Sequence, residues 1–189
     1  MIQRRKEYGK REPSRDAHKL FIVCEGEGTE PDYFSFFEGL SSNLKVVTIP
    51  PKDGTDPLKL MERAKQVLIG GEREYTVEYE HGDTVWFVID TDTWEEQGKI
   101  APLREFCSQQ NASISDVLDE VKTYQAWNVA QSNPSFEIWL YYHFYDEKPI
   151  TEEVEKGLVQ LYASEVFLLG KEIDSFVKSD IKKLRNKIR

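Results

Sequence analysis

Apolar residues fall into short unbroken runs separated by longer amphipathic stretches. LFIVC at 20–24 and VWFVI at 85–89 are continuous apolar segments, and LKVVTI at 44–49, stopped by Pro50 and Pro51, is a further strand candidate. Continuous runs such as LFIVC predict strands buried on both faces of a sheet. YQAWNVAQS at 124–132 predicts a fourth strand. Between them lie helical patterns. TEPDYFSFFEGL at 29–40 predicts a helix with Thr29 as N-cap, Pro31 in the first turn and Asp32 near a capping box. Its Tyr33, Phe37 and Leu40 recur at helical spacing and predict a stripe packed on the core. A second helix is predicted from about Asp56, and two more over about 99–110 and 114–122. In NPSFEIWLYYHF, Asn133 is the expected cap and Pro134 the first helical residue. Phe136, Trp139, Leu140, His143 and Phe144 form the apolar face of that helix. Residues 70–83 are polar and allow a helix end, a hairpin or a loop, and 151–187 reads as helical.

Strands alternating with helices imply an α/β fold: a mostly parallel sheet with helices on both faces. The expected organisation is a flexible basic arm over 1–18, an α/β domain over 19–145 and a C-terminal helical extension over 146–189. In open α/β sheets, ligands bind beyond the carboxyl ends of the strands. Two of the strongest strands end there in acids. LFIVC runs into Glu25, and VWFVI runs into Asp90 with Asp92 two residues on. An extended chain through 90–92 points both aspartates the same way. If the two strands are neighbours, three carboxylates converge and repel one another. A hard divalent cation, Mg²⁺ or Mn²⁺, relieves that repulsion and brings phosphodiester chemistry with it. Each acid alone has a plainer reading as a cap for a turn or helix, and for Asp92 that reading weighs at least as much as ligation.

Charge and composition narrow the picture. The chain has 189 residues and a net charge of −9, unevenly spread. Residues 1–19 hold seven Lys/Arg against three Asp/Glu, and 178–189 hold six against one, which leaves a strongly acidic middle. Basic ends around an acidic middle suit a carboxylate centre whose tails hold a polyanion, although solvated tails explain them equally well. No apolar run approaches the roughly 20 residues that span a bilayer, and the basic start lacks the apolar stretch of a signal peptide. Cys24 and Cys107 are the two cysteines, too few for a disulfide framework, so a cytoplasmic setting is expected.

IVCEGEGTEPDYF, VWFVIDTDTW and NVAQSNPSFEIWLYYHF, in that order, resemble the landmarks of RloB-like proteins over about residues 19–145. That family is grouped with Toprim-fold proteins, so the resemblance implies a Toprim-like Rossmannoid domain, a setting in bacterial or archaeal anti-phage defence, and nuclease activity. RNA, tRNA included, is favoured over DNA. By position, Glu25 matches the Toprim glutamate, and Asp90 and Asp92 match the metal-binding aspartates. All three are expected to be both catalytic and metal-binding, with Glu137 as a further catalytic group. Glu30, Asn133, His143 and Lys178 are the expected substrate-binding residues. Glu30 also reads as a first-turn glutamate favoured by the helix dipole, and His143 as a core histidine. Relatives are expected to continue past a lysine-bearing segment near the C-terminus. This chain stops at RNKIR soon after FVKSDIKK, which bears on Lys178. A partner protein from a defence operon and a homo-oligomer are both compatible with the resemblance.

Other chemistries fit less well. Topoisomerases and primases need further modules, for which 189 residues are expected to be too few, and the tyrosines at 141 and 142 read as helix residues. EGEGTE is not GxGxxG, and its glutamates repel a pyrophosphate. No GK[ST] follows it. The three histidines are scattered and no CxxC exists, which disfavours a zinc site. The remaining rival is a non-catalytic nucleotide-sensing or protein-binding module that keeps its acids for folding.

Overall fold

The three apolar runs and the weaker fourth form strands β1 (His18–Cys24), β2 (Leu44–Ile49), β3 (Thr84–Asp90) and β4 (Trp127–Ser132) in a computed structural model of the chain. The structure describes residues 10–91, 94–118, 125–133 and 135–144. Asp92, Pro134, Lys178 and the helical reading of 151–187 lie outside them. The sheet order is β2-β1-β3-β4, and the strands run parallel. Phe21 pairs with Val47 on one side and with Val85 on the other. The α/β expectation with a parallel sheet therefore holds.

Why the strands read as unbroken apolar runs follows from burial. Phe21, Val23, Val47, Ile49, Val85, Phe87 and Ile89 alternate onto one face and share a single core. Of the residues between them, Ile22, Cys24, Val46 and Val88 are buried as well, Thr48 is half-buried and Trp86 is exposed. Helix α2 (Pro57–Ala64) and the π-helical turn that continues it (Lys65–Ile69) bring Leu60, Ala64, Val67 and Leu68 to that core. Helix α3 (Ile100–Leu118) brings Ile100, Leu103, Phe106, Cys107 and Ile114 at helical spacing. Phe106 stacks edge-on against Trp127, with ring centroids 5.5 Å apart. Asp56 caps α2, its carboxylate accepting from Leu58 N–H at 3.1 Å.

Several local expectations change. The first helix, α1 (Thr29–Ser35), is shorter than its pattern suggests, and Gly28 rather than Thr29 occupies its N-cap position without a side-chain cap. The Phe37 and Leu40 side chains are exposed, so the predicted stripe is not core. Tyr33 instead packs on Phe37 within the segment. The two helices predicted over 99–122 are one helix through Leu118, since nothing between 110 and 114 breaks the turn. Residues 70–83 are loop with one 3₁₀ turn, Tyr79–His81. Helix α4 (Phe136–Phe144) starts three residues after Asn133. Asn133 is exposed, and Ser135 directly precedes the helix. On α4, Phe136 and Leu140 are buried and Trp139 is exposed, narrowing the predicted apolar face.

The chain divides into two compact units, Met1–Ile89 with Thr93–Gln131, and Asp90–Asp92 with Ser132–Arg189. In the first, residues 10–17 run beside the loop after α1, with Arg11 N–H donating to Gly39 O and Ser14 N–H to Ser42 O. In the second, the Thr91 backbone N–H and Oγ1 both donate to Ser132 O, at 2.7 and 2.6 Å. No helix among the described residues is long and apolar enough to cross a membrane.

Candidate functional site

Glu25 is the first residue after β1, and the strand bond pattern continues through it: its N–H donates to Val88 O at 3.2 Å. Its half-buried carboxylate therefore starts from the carboxyl edge of the sheet, where a parallel sheet presents its ligands. Oε1 of that carboxylate accepts from the Trp94 indole N–H at 2.7 Å. This is a charge-assisted bond and fixes one oxygen of the acid. Trp94 received no role from the sequence, although it closes the VWFVIDTDTW segment. Its side chain is partly buried against the core.

Glu30 is buried in α1 and turns back over the preceding loop. Its Oε1 accepts from Gly26 N–H at 3.2 Å. A Cβ on Gly26 would sit 2.1 Å from Glu30 Oε2, so the absence of a side chain there is what admits the carboxylate. Glu30 thus closes the β1–α1 loop. Burial and the Glu30 carboxylate together push the Cys24 thiol up to about 12, which makes it an inert buried thiol.

The second unit holds Asp90 and Glu137. Asp90 is the last residue of β3 and is half-buried. The two Thr91–Ser132 bonds tie the ends of β3 and β4 together, so Asp90 and Asn133 sit at neighbouring strand ends. Glu137 lies in the first turn of α4 and is half-buried. His143 lies in the last turn, its ring edge-on to Trp139 at 5.5 Å, and burial holds it below the ordinary histidine range. Asp92 and Lys178 lie outside the described residues.

Carboxylate oxygens are the donors that hard divalent cations take, so the residue types at Glu25 and Asp90 fit Mg²⁺ or Mn²⁺. Among the described residues, no group of three or more His, Cys, Asp or Glu is gathered closely enough to hold a metal ion.

Sequence reasoning also missed Asp83, which is fully buried at the start of β3. Its Oδ1 accepts from Lys19 N–H and its Oδ2 from Glu78 N–H, both at 2.8 Å. An acid directly before a buried strand was its only signal.

No curated protein and no solved structure matched the sequence. A comparison with protein families matched RloB-like protein over residues 20–187, which takes in most of β1, all of β2, β3 and β4, and most of the chain. With that match covering well over half of its length, the chain belongs to the RloB-like family.

Proposed function

We propose that this RloB-like protein is a divalent-metal-dependent nuclease of the Toprim type, acting on RNA in preference to DNA in anti-phage defence. The observation that carries the reading is the Glu25 carboxylate, which follows β1 at the carboxyl edge of the sheet and is held there by the Trp94 indole N–H. Carboxyl ends of adjacent central strands are where such folds present their chemistry. Glu25, Asp90 and Asp92 are the residues that would hold the cation. Mg²⁺ or Mn²⁺, when bound, supplies water activation and charge stabilisation at a phosphoryl group. Glu25 holds its carboxylate in one orientation through Oε1 and is the group to accept or return a proton. Asp90 supplies hard oxygen ligands, and Glu137 adds an acid from α4. The basic segments 1–19 and 178–189 attract the polyanionic substrate. A partner protein of the same defence system delivers or triggers the target.

One observation favours a second reading, a non-catalytic binding module. The chain demonstrably uses carboxylates to build loops, since buried Asp83 and Glu30 both accept backbone N–H groups. Cleavage assays separate the two readings. Purified protein is incubated with total RNA, plasmid and single-stranded DNA, with Mg²⁺, Mn²⁺ or EDTA, beside Glu25→Gln. Metal-dependent cleavage that the substitution abolishes is expected. Equal cleavage by the variant, or none with any metal, defeats the nuclease reading. Phage protection that survives Asp90→Ala then points to the binding module.

A further inference from the structure

We propose that Trp94, clamped by Lys99, is the positioning residue that orients the Glu25 carboxylate; this rests on the nuclease reading above. The turn that follows β3 is built to hold one indole. Lys99 N–H donates to Trp94 O and Gly98 N–H to Glu95 O, both at 3.0 Å, closing residues 94–99 on themselves. Gly98 takes φ +67°, the left-handed conformation this closure needs and that a side chain resists. The closed turn carries the Lys99 ammonium back over its own first residue, 4.5 Å from the Trp94 ring centroid. That is a cation–π contact. Lys99 Nζ also lies 3.9 Å from Asp56 Oδ1, the carboxylate that caps α2. A line of contacts therefore runs from the α2 cap through Lys99 and Trp94 to Glu25 Oε1.

The choice of donor matters. A lysine or arginine at this place would pair with the carboxylate and compensate its charge. An indole N–H carries no charge and does not titrate, so it directs the acid without itself compensating the carboxylate charge. The ammonium lies over the ring. It polarises the indole and strengthens its N–H as a donor. Holding a reacting carboxylate in one orientation is worth a large factor in rate, because a small misplacement at a site is costly.

The test uses the full chain and compares wild type with Trp94→Phe, Trp94→His and Lys99→Met. Phenylalanine keeps a ring on the core and removes the N–H; histidine restores a donor. Cleavage of total RNA with Mg²⁺ is followed as kcat and KM, with thermal unfolding to show that each variant is folded. Trp94→Phe is expected to lower kcat about 10- to 100-fold with KM within about twofold. Trp94→His should recover part of that loss, which a purely structural role for the ring would not produce. Independently of cleavage, indole ¹⁵N–¹H spectra locate the Trp94 resonance by its absence in Trp94→Phe. That resonance should shift in Glu25→Ala and shift again in Lys99→Met. Wild-type kcat in folded Trp94→Phe, or an indole resonance indifferent to Glu25→Ala, overturns the proposal. If the wild-type chain cuts no RNA, the nuclease reading fails by itself, and the indole resonance still decides whether Trp94 holds Glu25.

Discussion

Asp83 shows how much one side chain decides. It is fully buried, and its two oxygens accept the N–H groups of Lys19 and Glu78, which joins β1 to the loop before β3. Asp83→Ala would leave both donors without their acceptor and should cost about 2–4 kcal/mol, read from urea denaturation. Around it, the Lys19 ammonium bonds Glu78 and approaches Asp83 Oδ2 at 3.6 Å. Burial pulls the Lys19 pKa down, but the two acids outweigh it and hold it above the ordinary lysine value. Lys19 in turn holds exposed Glu78 below the ordinary carboxylate range. The stability that Lys19 contributes is present below the ordinary lysine pKa and lost as pH rises through its raised one. The Glu78 contribution is present above the ordinary carboxylate pKa and lost as pH falls through its depressed one. Lys19→Met should therefore flatten stability at both ends of a denaturation series from about pH 3 to about pH 11. The cysteines give a cleaner test. Burial raises Cys24 and Cys107 each to about 12, so neither should react with a thiol reagent at about pH 8 until the protein unfolds.

At the scale of elements, the β1–α1 loop depends on one close approach. Gly26→Ala would push a Cβ onto the Glu30 carboxylate, which must then leave its bond to Gly26 N–H. A loss of about 1–3 kcal/mol is expected. Because Glu30 is the end of a flexible side chain, the loss should be smaller when Glu30→Ala is already present; a double-mutant cycle measures that coupling. The strands were the most legible elements in the sequence. Burial on both faces forces an unbroken apolar run, and such a run has few other interpretations. Helix ends were less legible. TEPDYFSFFEGL carries helical spacing through Leu40, yet α1 stops at Ser35 and leaves Phe37 and Leu40 exposed. Spacing marks a face that is able to pack, but the surrounding chain sets whether anything packs there.

For the whole molecule, the proposed cation is also a stability ligand. A cation that binds only the folded chain stabilises it by about 2.7 kcal/mol at about 100 times Kd. Mg²⁺ should therefore raise the unfolding temperature, and Glu25→Gln and Asp90→Asn should each abolish that rise; a scan with and without EDTA checks it. The sequence by itself determined the α/β class, the strands and the acids at their ends, because the two-sided burial of a parallel sheet and its ligand edge leave a direct imprint on residue order. Glu25 and Asp90 were legible as candidates for that reason. Tertiary structure alone decided that β1 and β3 are neighbours, since order along the chain does not specify order across a sheet. It likewise showed Glu30 turned inward onto Gly26, Asp83 holding two backbone donors, and Trp94 bonded to an acid 69 residues away. These are contacts between distant or folded-back segments, and no local periodicity records which side chain a carboxylate will meet.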